Sequence, residues 1–172
     1  MPYLIDGFNL FHAAQSVLPQ GFDLGRSQLM GWLGGWTAAT GEKLTIVWDG
    51  TSPPPLLAAQ LGDKRISEIY AGGTETADER IAKMLHDDTG AREIGVVSND
   101  REVQHSARRH GARVEECESF LRRVAEDMRR IRKKSSGLEP DEKRRGLKAE
   151  DARDWLTAFG FDPDAPVDFE HP

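Results

Sequence analysis

Three short apolar runs in this 172-residue chain each close on an aspartate. Tyr3-Leu4-Ile5 stops at Asp6, Leu44-Thr45-Ile46-Val47-Trp48 at Asp49, and Ile94-Gly95-Val96-Val97 at Ser98-Asn99-Asp100. Two further acids, Glu75 and Asp78, stand where an amphipathic segment begins, after a run ending near Tyr70. Apolar runs of this length read as buried strands, and a parallel sheet presents its ligand site beyond the carboxyl ends of its strands. Up to five carboxylates therefore meet at one rim. Two unit charges 4 Å apart repel by about 4 kcal/mol at an effective dielectric near 20, so the cluster is costly unless some acids are protonated, point away or share a cation. Carboxylates without Cys or His suit a hard ion such as Mg²⁺ or Mn²⁺.

Each acid also has an ordinary structural reading. Thr76-Ala77-Asp78-Glu79 fits a capping box, with Thr76 as N-cap and Glu79 reaching back, so Glu75 and Asp78 could serve only a helix N-terminus. Asp49-Gly50 is common turn chemistry. Asp6 and Asp100 resist such readings, because buried strand ends seldom keep an ionised group without a partner. Helix spacing puts positions three apart on one face, so Glu75 and Asp78 are expected to point together toward the strand ends. Gly7 allows a tight exit from the first strand, and Asn9 can cap the next helix or set its amide beside Asp6. Ser98 and Asn99 stand in the same relation to Asp100.

The elements that must position these groups follow from periodicity. Besides the three central strands, Arg65 to Tyr70 alternates and reads as a strand nearer an edge, and Ala112-Arg113-Val114 is a shorter candidate. Helical stripes run through Leu24, Leu29, Trp32, Leu33 and Trp36, through Ala77, Ile81, Met84 and Leu85, and through Phe120, Leu121, Val124, Met128 and Ile131. Glu102 to His110 supplies a helix between the last two strands. Alternation of this kind predicts an α/β fold with a mostly parallel sheet covered on both faces. After Arg132 the composition changes. Residues 133–140 read as a linker, Asp141 to Arg145 is almost wholly charged, and Ala149 to Phe159 predicts a short helix with Trp155, Leu156 and Phe159 on one side. That side is expected to pack back on the domain, before an extended tail from Phe161 to Pro172. The division is thus residues 1–134 and 135–172.

Composition narrows the function. A net charge of −6 and 38% hydrophobic residues fit one soluble domain, which at this size buries about 70% of its unfolded surface without disulfide or structural metal. Cys117 is the one cysteine, and the five histidines show no ligand-like spacing. Met1 to Leu10 lacks the pattern of a signal peptide, so a cytoplasmic protein without a membrane anchor is expected. Charge is uneven: residues 1–100 hold 7 basic and 13 acidic side chains, residues 101–148 hold 15 and 9. The arginine-rich stretch suits phosphate contacts; Arg101, beside the acids, is the first candidate for a polyanion, followed by Arg108 and Arg109. No interleaved aromatics announce a stacking platform. A haloacid dehalogenase phosphatase needs a second aspartate at position 8, which is Phe; a receiver domain needs paired acids and a late lysine; no phosphate loop ending in Lys-Ser or Lys-Thr occurs.

Taken in order, Asp6-Gly7-Phe8-Asn9-Leu10, Val47-Trp48-Asp49-Gly50, Glu75-Thr76-Ala77-Asp78-Glu79 and Val97-Ser98-Asn99-Asp100-Arg101-Glu102-Val103-Gln104 resemble the NYN domain, most closely its YacP-like branch within the PIN-like ribonucleases. The resemblance spans about residues 1–131 and departs at Phe8, where Tyr is usual. It implies a three-layer α/β/α PIN-like fold with a C-terminal helical extension and a metal-dependent endoribonuclease using Mg²⁺ or Mn²⁺. The functional positions it implies are Asp6, Asn9, Asp49, Glu75, Asp78 and Asp100, with Ser98 or Asn99 in support. RNA is the implied substrate, in some members on the ribosome. Asp6, Asp78 and Asp100 would be catalytic: with Glu75 they would hold one or two ions, acidify a water and stabilise charge on a phosphodiester, leaving a 5′-phosphate and a 3′-hydroxyl. The rival expectation is an inactive PIN-like module that binds RNA or the ribosome without cutting. The retained repulsive acids speak against it.

Overall fold

The computed structural model describes residues 1–18, 24–51, 65–88, 90–135 and 152–161. Five strands form one sheet: β1 (Pro2–Asp6), β2 (Lys43–Trp48), β3 (Ile66–Tyr70), β4 (Gly95–Val97) and β5 (Arg113–Glu115). Their order is β3-β2-β1-β4-β5, and every neighbouring pair is parallel. Ile5 stands in register with Ile46 on one side and Val97 on the other, which makes β1 the centre. The half-buried Arg65–Tyr70 run is an edge strand, as its alternation predicts.

Six α-helices complete the described part: α1 (Gly7–Ser16), α2 (Arg26–Thr40), α3 (Ala77–Asp87), α4 (Arg101–Arg109), α5 (Cys117–Ser135) and α6 (Ala152–Ala158). Strand side chains alternate between faces, so two cores result. Tyr3, Ile5, Leu44, Ile46 and Val97 pack with α1, α2, α5 and α6, whereas Leu4, Val47 and Val96 pack with Ala77, Ile81 and Leu85 of α3 and with Val103 and Ala107 of α4. The architecture is the expected three-layer α/β/α fold with a helical C-terminal part.

Trp155, Leu156 and Phe159 are buried in the larger core, where the Phe159 ring lies 4.5 Å from that of Trp32. The apolar side of α6 thus packs on the domain. The linker beyond Ser135, the charged run 141–145, residues 149–151 and the tail beyond Phe161 lie outside the described residues. The chain leaves β1 toward β2 and β3, then returns to β4 on the opposite side. That reversal places a crevice at the carboxyl ends of β1 and β4, where an open α/β sheet binds its ligand. Among the described residues no helix is long and apolar enough to cross a membrane.

Candidate active site: an acidic rim at the strand ends

Asp6 occupies that crevice, only 2% exposed. It is itself the N-cap of α1, in extended backbone conformation: its Oδ1 accepts the Asn9 backbone N–H at 3.0 Å, and its Oδ2 accepts the Asn9 side-chain amide. Asn9 therefore does not cap the helix. Because α1 begins at Gly7, Asn9 lies in its first turn and its amide turns back on Asp6. The fully buried Ser98 hydroxyl donates to Asp6 Oδ2 at 3.3 Å and accepts the Asp100 N–H at 3.0 Å. One hydroxyl thereby ties the end of β1 to the turn after β4.

Asp100 caps α4, its Oδ1 accepting from the N–H groups of Glu102 (2.6 Å) and Val103 (3.2 Å). Asp49 does something turn chemistry does not require. Its Oδ1 accepts the Ala77 N–H at 2.7 Å, pinning the end of β2 to the start of α3. Thr76 and Glu79 form the capping box as read, through Glu79 N–H to Thr76 Oγ1 at 3.2 Å and Thr76 N–H to Glu79 Oε2 at 3.0 Å.

Two expectations about position need correction. Thr76 is the N-cap with extended backbone (φ −87°, ψ 162°), so Glu75 precedes the helix and does not share a helical face with Asp78. Its carboxylate lies 3.6 Å from the Arg80 guanidinium. Asn99 is turned away from Asp100: its side-chain amide donates to Glu118 and its Oδ1 accepts the Cys117 N–H at 2.8 Å, which anchors the start of α5. Ser98, not Asn99, is the neutral group inside the crevice.

Asp78 differs from the other acids. Among the described residues, nothing donates a hydrogen bond to its carboxylate. Burial first, then the charges of Asp6, Asp100, Asp49 and Glu102, push it up to about 6. Glu102 was not recognisable as part of this group from sequence, where it reads as ordinary first-turn acid; the one available signal is its place two residues after a strand-end aspartate. Among the described residues, no three acids, thiols or imidazoles converge closely enough to enclose one metal ion. Cys117 offers no nucleophile. Burial, chiefly, with help from Asp6 and Glu118, pushes its thiol up to about 12.

From the acids a groove of about 530 Å³ runs between α3 and α4, past Asp78, Arg101, Glu102, His105 and Arg109. Arg101 and Arg109 are exposed, and no described residue pairs with either. Arg108 donates to Gln104 at 3.2 Å. Farther along, Arg123 is committed elsewhere: it pairs with Glu115 at 2.8 Å and lies over the Tyr3, Trp36 and Phe120 rings. The sequence model for the YacP-like NYN domain matches residues 3–157.

The chain belongs to the YacP-like NYN family.

That family is a PIN-like ribonuclease family, and the match runs past residue 131 into α6. Solved structures of a Bacillus protein are similar. Rae1 (YacP) from Bacillus subtilis is 26% identical with a TM-score of 0.62, covering 80% of this chain and 81% of its own. A mutant of the same Bacillus protein, with leucine in place of one tryptophan, aligns at 23% identity with the same TM-score and covers 90% and 92%. No curated protein matches the chain. The YacP-like membership agrees with the four motifs, and the fold agrees with the Rae1 structures.

Proposed function

We propose that this YacP-like NYN protein is an endoribonuclease that hydrolyses RNA phosphodiesters at the Asp6–Asp78–Asp100 rim with Mg²⁺ or Mn²⁺. The observation that carries the reading is Asp78, a half-buried acid under the charges of three aspartates and Glu102 that, among the described residues, receives no hydrogen bond. Repelling acids beside a groove that also carries two exposed arginines are what a site awaiting a cation and a polyanion requires. The donors fit in kind: all are carboxylate oxygens, the preference of a hard divalent ion. Asp6, Asp78 and Asp100 would hold it, with Asp49 contributing the oxygen that Ala77 does not use. Glu75, paired with Arg80, would join only by leaving that pair. A divalent ion bound there supplies Lewis acidity to the phosphodiester and acidifies water.

The chain's own groups do the rest. Asn9 and Ser98 hold the Asp6 carboxylate in one orientation, and the cap bonds of Asp100 leave one of its oxygens free. Arg101 and Arg109, which pair with no described residue, offer exposed cations to the phosphates, and Arg108 adds a third by giving up its bond to Gln104. The second reading, an RNA- or ribosome-binding module without chemistry, is favoured by the absence, among the described residues, of three acids close enough to enclose one ion. Purified protein incubated with RNA, and separately with ribosomes, in Mn²⁺, Mg²⁺ or EDTA tests the choice. The expected result is metal-dependent cleavage with 5′-phosphate ends that disappears in a folded Asp6→Asn variant. Metal binding with no cleavage of either substrate selects the second reading.

A further inference from the structure

Among the described residues only two large apolar side chains are exposed: Met1 at the chain start and Phe8, at 42%. Phe8 lies two residues after Asp6, in the first turn of α1, and its ring rests on Trp48, the residue before Asp49. A ring of this size is ordinarily buried.

Its support is rigid. The ring meets the Trp48 indole edge to face, with centroids 5.6 Å apart and planes at 86°. Gly7 makes this possible, since a Cβ there would come within 2.6 Å of Trp48 Cδ2; only glycine lets the first turn lie against the indole. Trp48 is fixed in turn. The Arg26 guanidinium lies 4.0 Å over its ring and is held by Glu68 at 2.8 Å and by the Tyr70 hydroxyl, while Trp48 Nε1 donates to Glu68 at 3.1 Å. One turn along α1, the exposed His12 ring lies 6.3 Å from Phe8 at 30°. A preset aromatic surface is thus built on the residues next to Asp6 and Asp49, while a groove with two exposed arginines that pair with no described residue runs past Asp78.

We propose that Phe8, with His12 beside it, is a stacking platform for an unpaired base next to the phosphodiester that is cut. Single-stranded RNA alternates phosphates, which suit Arg101 and Arg109, with bases whose faces suit a rigid ring. Phe8 is a positioning residue: gripping the base fixes the adjoining phosphate over the carboxylates. A base held in a duplex cannot reach it. The sequence does not announce such a platform, because Trp48, on which the Phe8 ring rests, comes from β2 and meets it only in the folded chain.

The proposal rests on the ribonuclease reading, and its test separates the two. A short RNA carrying 2-aminopurine, scanned position by position, is titrated in EDTA with wild-type protein, Phe8→Ala and Phe8→Tyr. Fluorescence at one position is expected to be quenched by wild type and Phe8→Tyr. Phe8→Ala is expected to bind about 5- to 100-fold more weakly and to lose the quench. The same RNA made abasic at that position should bind wild type and Phe8→Ala equally. Equal affinity of both proteins for the intact strand, or an equal loss on the abasic strand, overturns the platform. Stacking without cleavage in Mn²⁺ keeps the platform and removes the nuclease; cleavage that Phe8→Ala leaves unchanged does the reverse.

Discussion

Asp78→Asn preserves shape and removes the charge that the site repels. An Asp78 carboxyl raised from 3.8 to about 6 corresponds to about 3 kcal/mol. Because the group is partly exposed, solvent reduces this to about 1–2 kcal/mol. The sign follows from proton uptake: with its folded value above its unfolded value, the folded protein binds the proton first, so Asp78 lowers stability as pH rises from about 4 through 6. At pH 7.5 without metal the penalty is complete. Asparagine removes it, but also forfeits a favourable charge in the first turn of α3, worth about 0.3–1 kcal/mol. Burial of the charge, with the repulsion added to it, is the larger effect, so Asp78→Asn should raise the melting temperature in EDTA at pH 7.5 by about 1–4 °C. At pH 5, where wild type is largely protonated, the difference should shrink. Excess Mn²⁺ should reverse the order, because a ligand at 100 times its Kd stabilises wild type by about 2.7 kcal/mol and the variant by less. Thermal unfolding under these conditions checks every step. A variant less stable than wild type in EDTA at pH 7.5 would refute a penalty from burial and repulsion at Asp78; an equal Mn²⁺ shift in both proteins would remove Asp78 from the metal site.

Arg101→Ala and Arg109→Ala should each weaken RNA binding across sequences and reduce the salt slope by about 1, measured by titration at several salt concentrations. Arg123→Ala should instead lower stability, through loss of its Glu115 pair and its packing on Tyr3, Trp36 and Phe120. Asp49→Ala removes the acceptor for the Ala77 N–H and should cost about 1 kcal/mol in urea unfolding; no loss would mean that Thr76 suffices as cap. Trp155→Ala empties a fully buried position in the larger core and should cost about 3–5 kcal/mol. A negligible loss would show that α6 is docked only weakly.

Most of the fold was legible because its signals are local. The apolar runs at residues 3–5, 44–48 and 94–97 are short and unbroken, as strands covered on both faces must be, and the stripe from Leu29 to Trp36 repeats at helical spacing. The capping box at Thr76 and Glu79 spans four residues and was equally plain. Its consequence for Glu75 was equally available, since Thr76 as N-cap already places Glu75 before the helix, which is incompatible with a helical face shared with Asp78. Extended backbone at Thr76 puts Glu75 outside.

The sequence by itself determined that Asp6, Asp49 and Asp100 lie at strand ends and that Asp78 opens a helix, because the parallel sheet orients all strand ends alike; it missed Glu102 and misplaced Glu75. Only the tertiary structure decided how each acid is used. Asp6 meets Ser98 across 92 residues and Asp49 meets Ala77 across 28, while Asn99 turns to Glu118 at the start of another helix. These partners are set by hydrogen-bond direction and distance between separate elements, which periodicity does not encode. Phe8 is the same case: its type and position are in the sequence, but its exposed ring, propped on an indole from β2 beside the carboxylates, exists only once the strands are side by side.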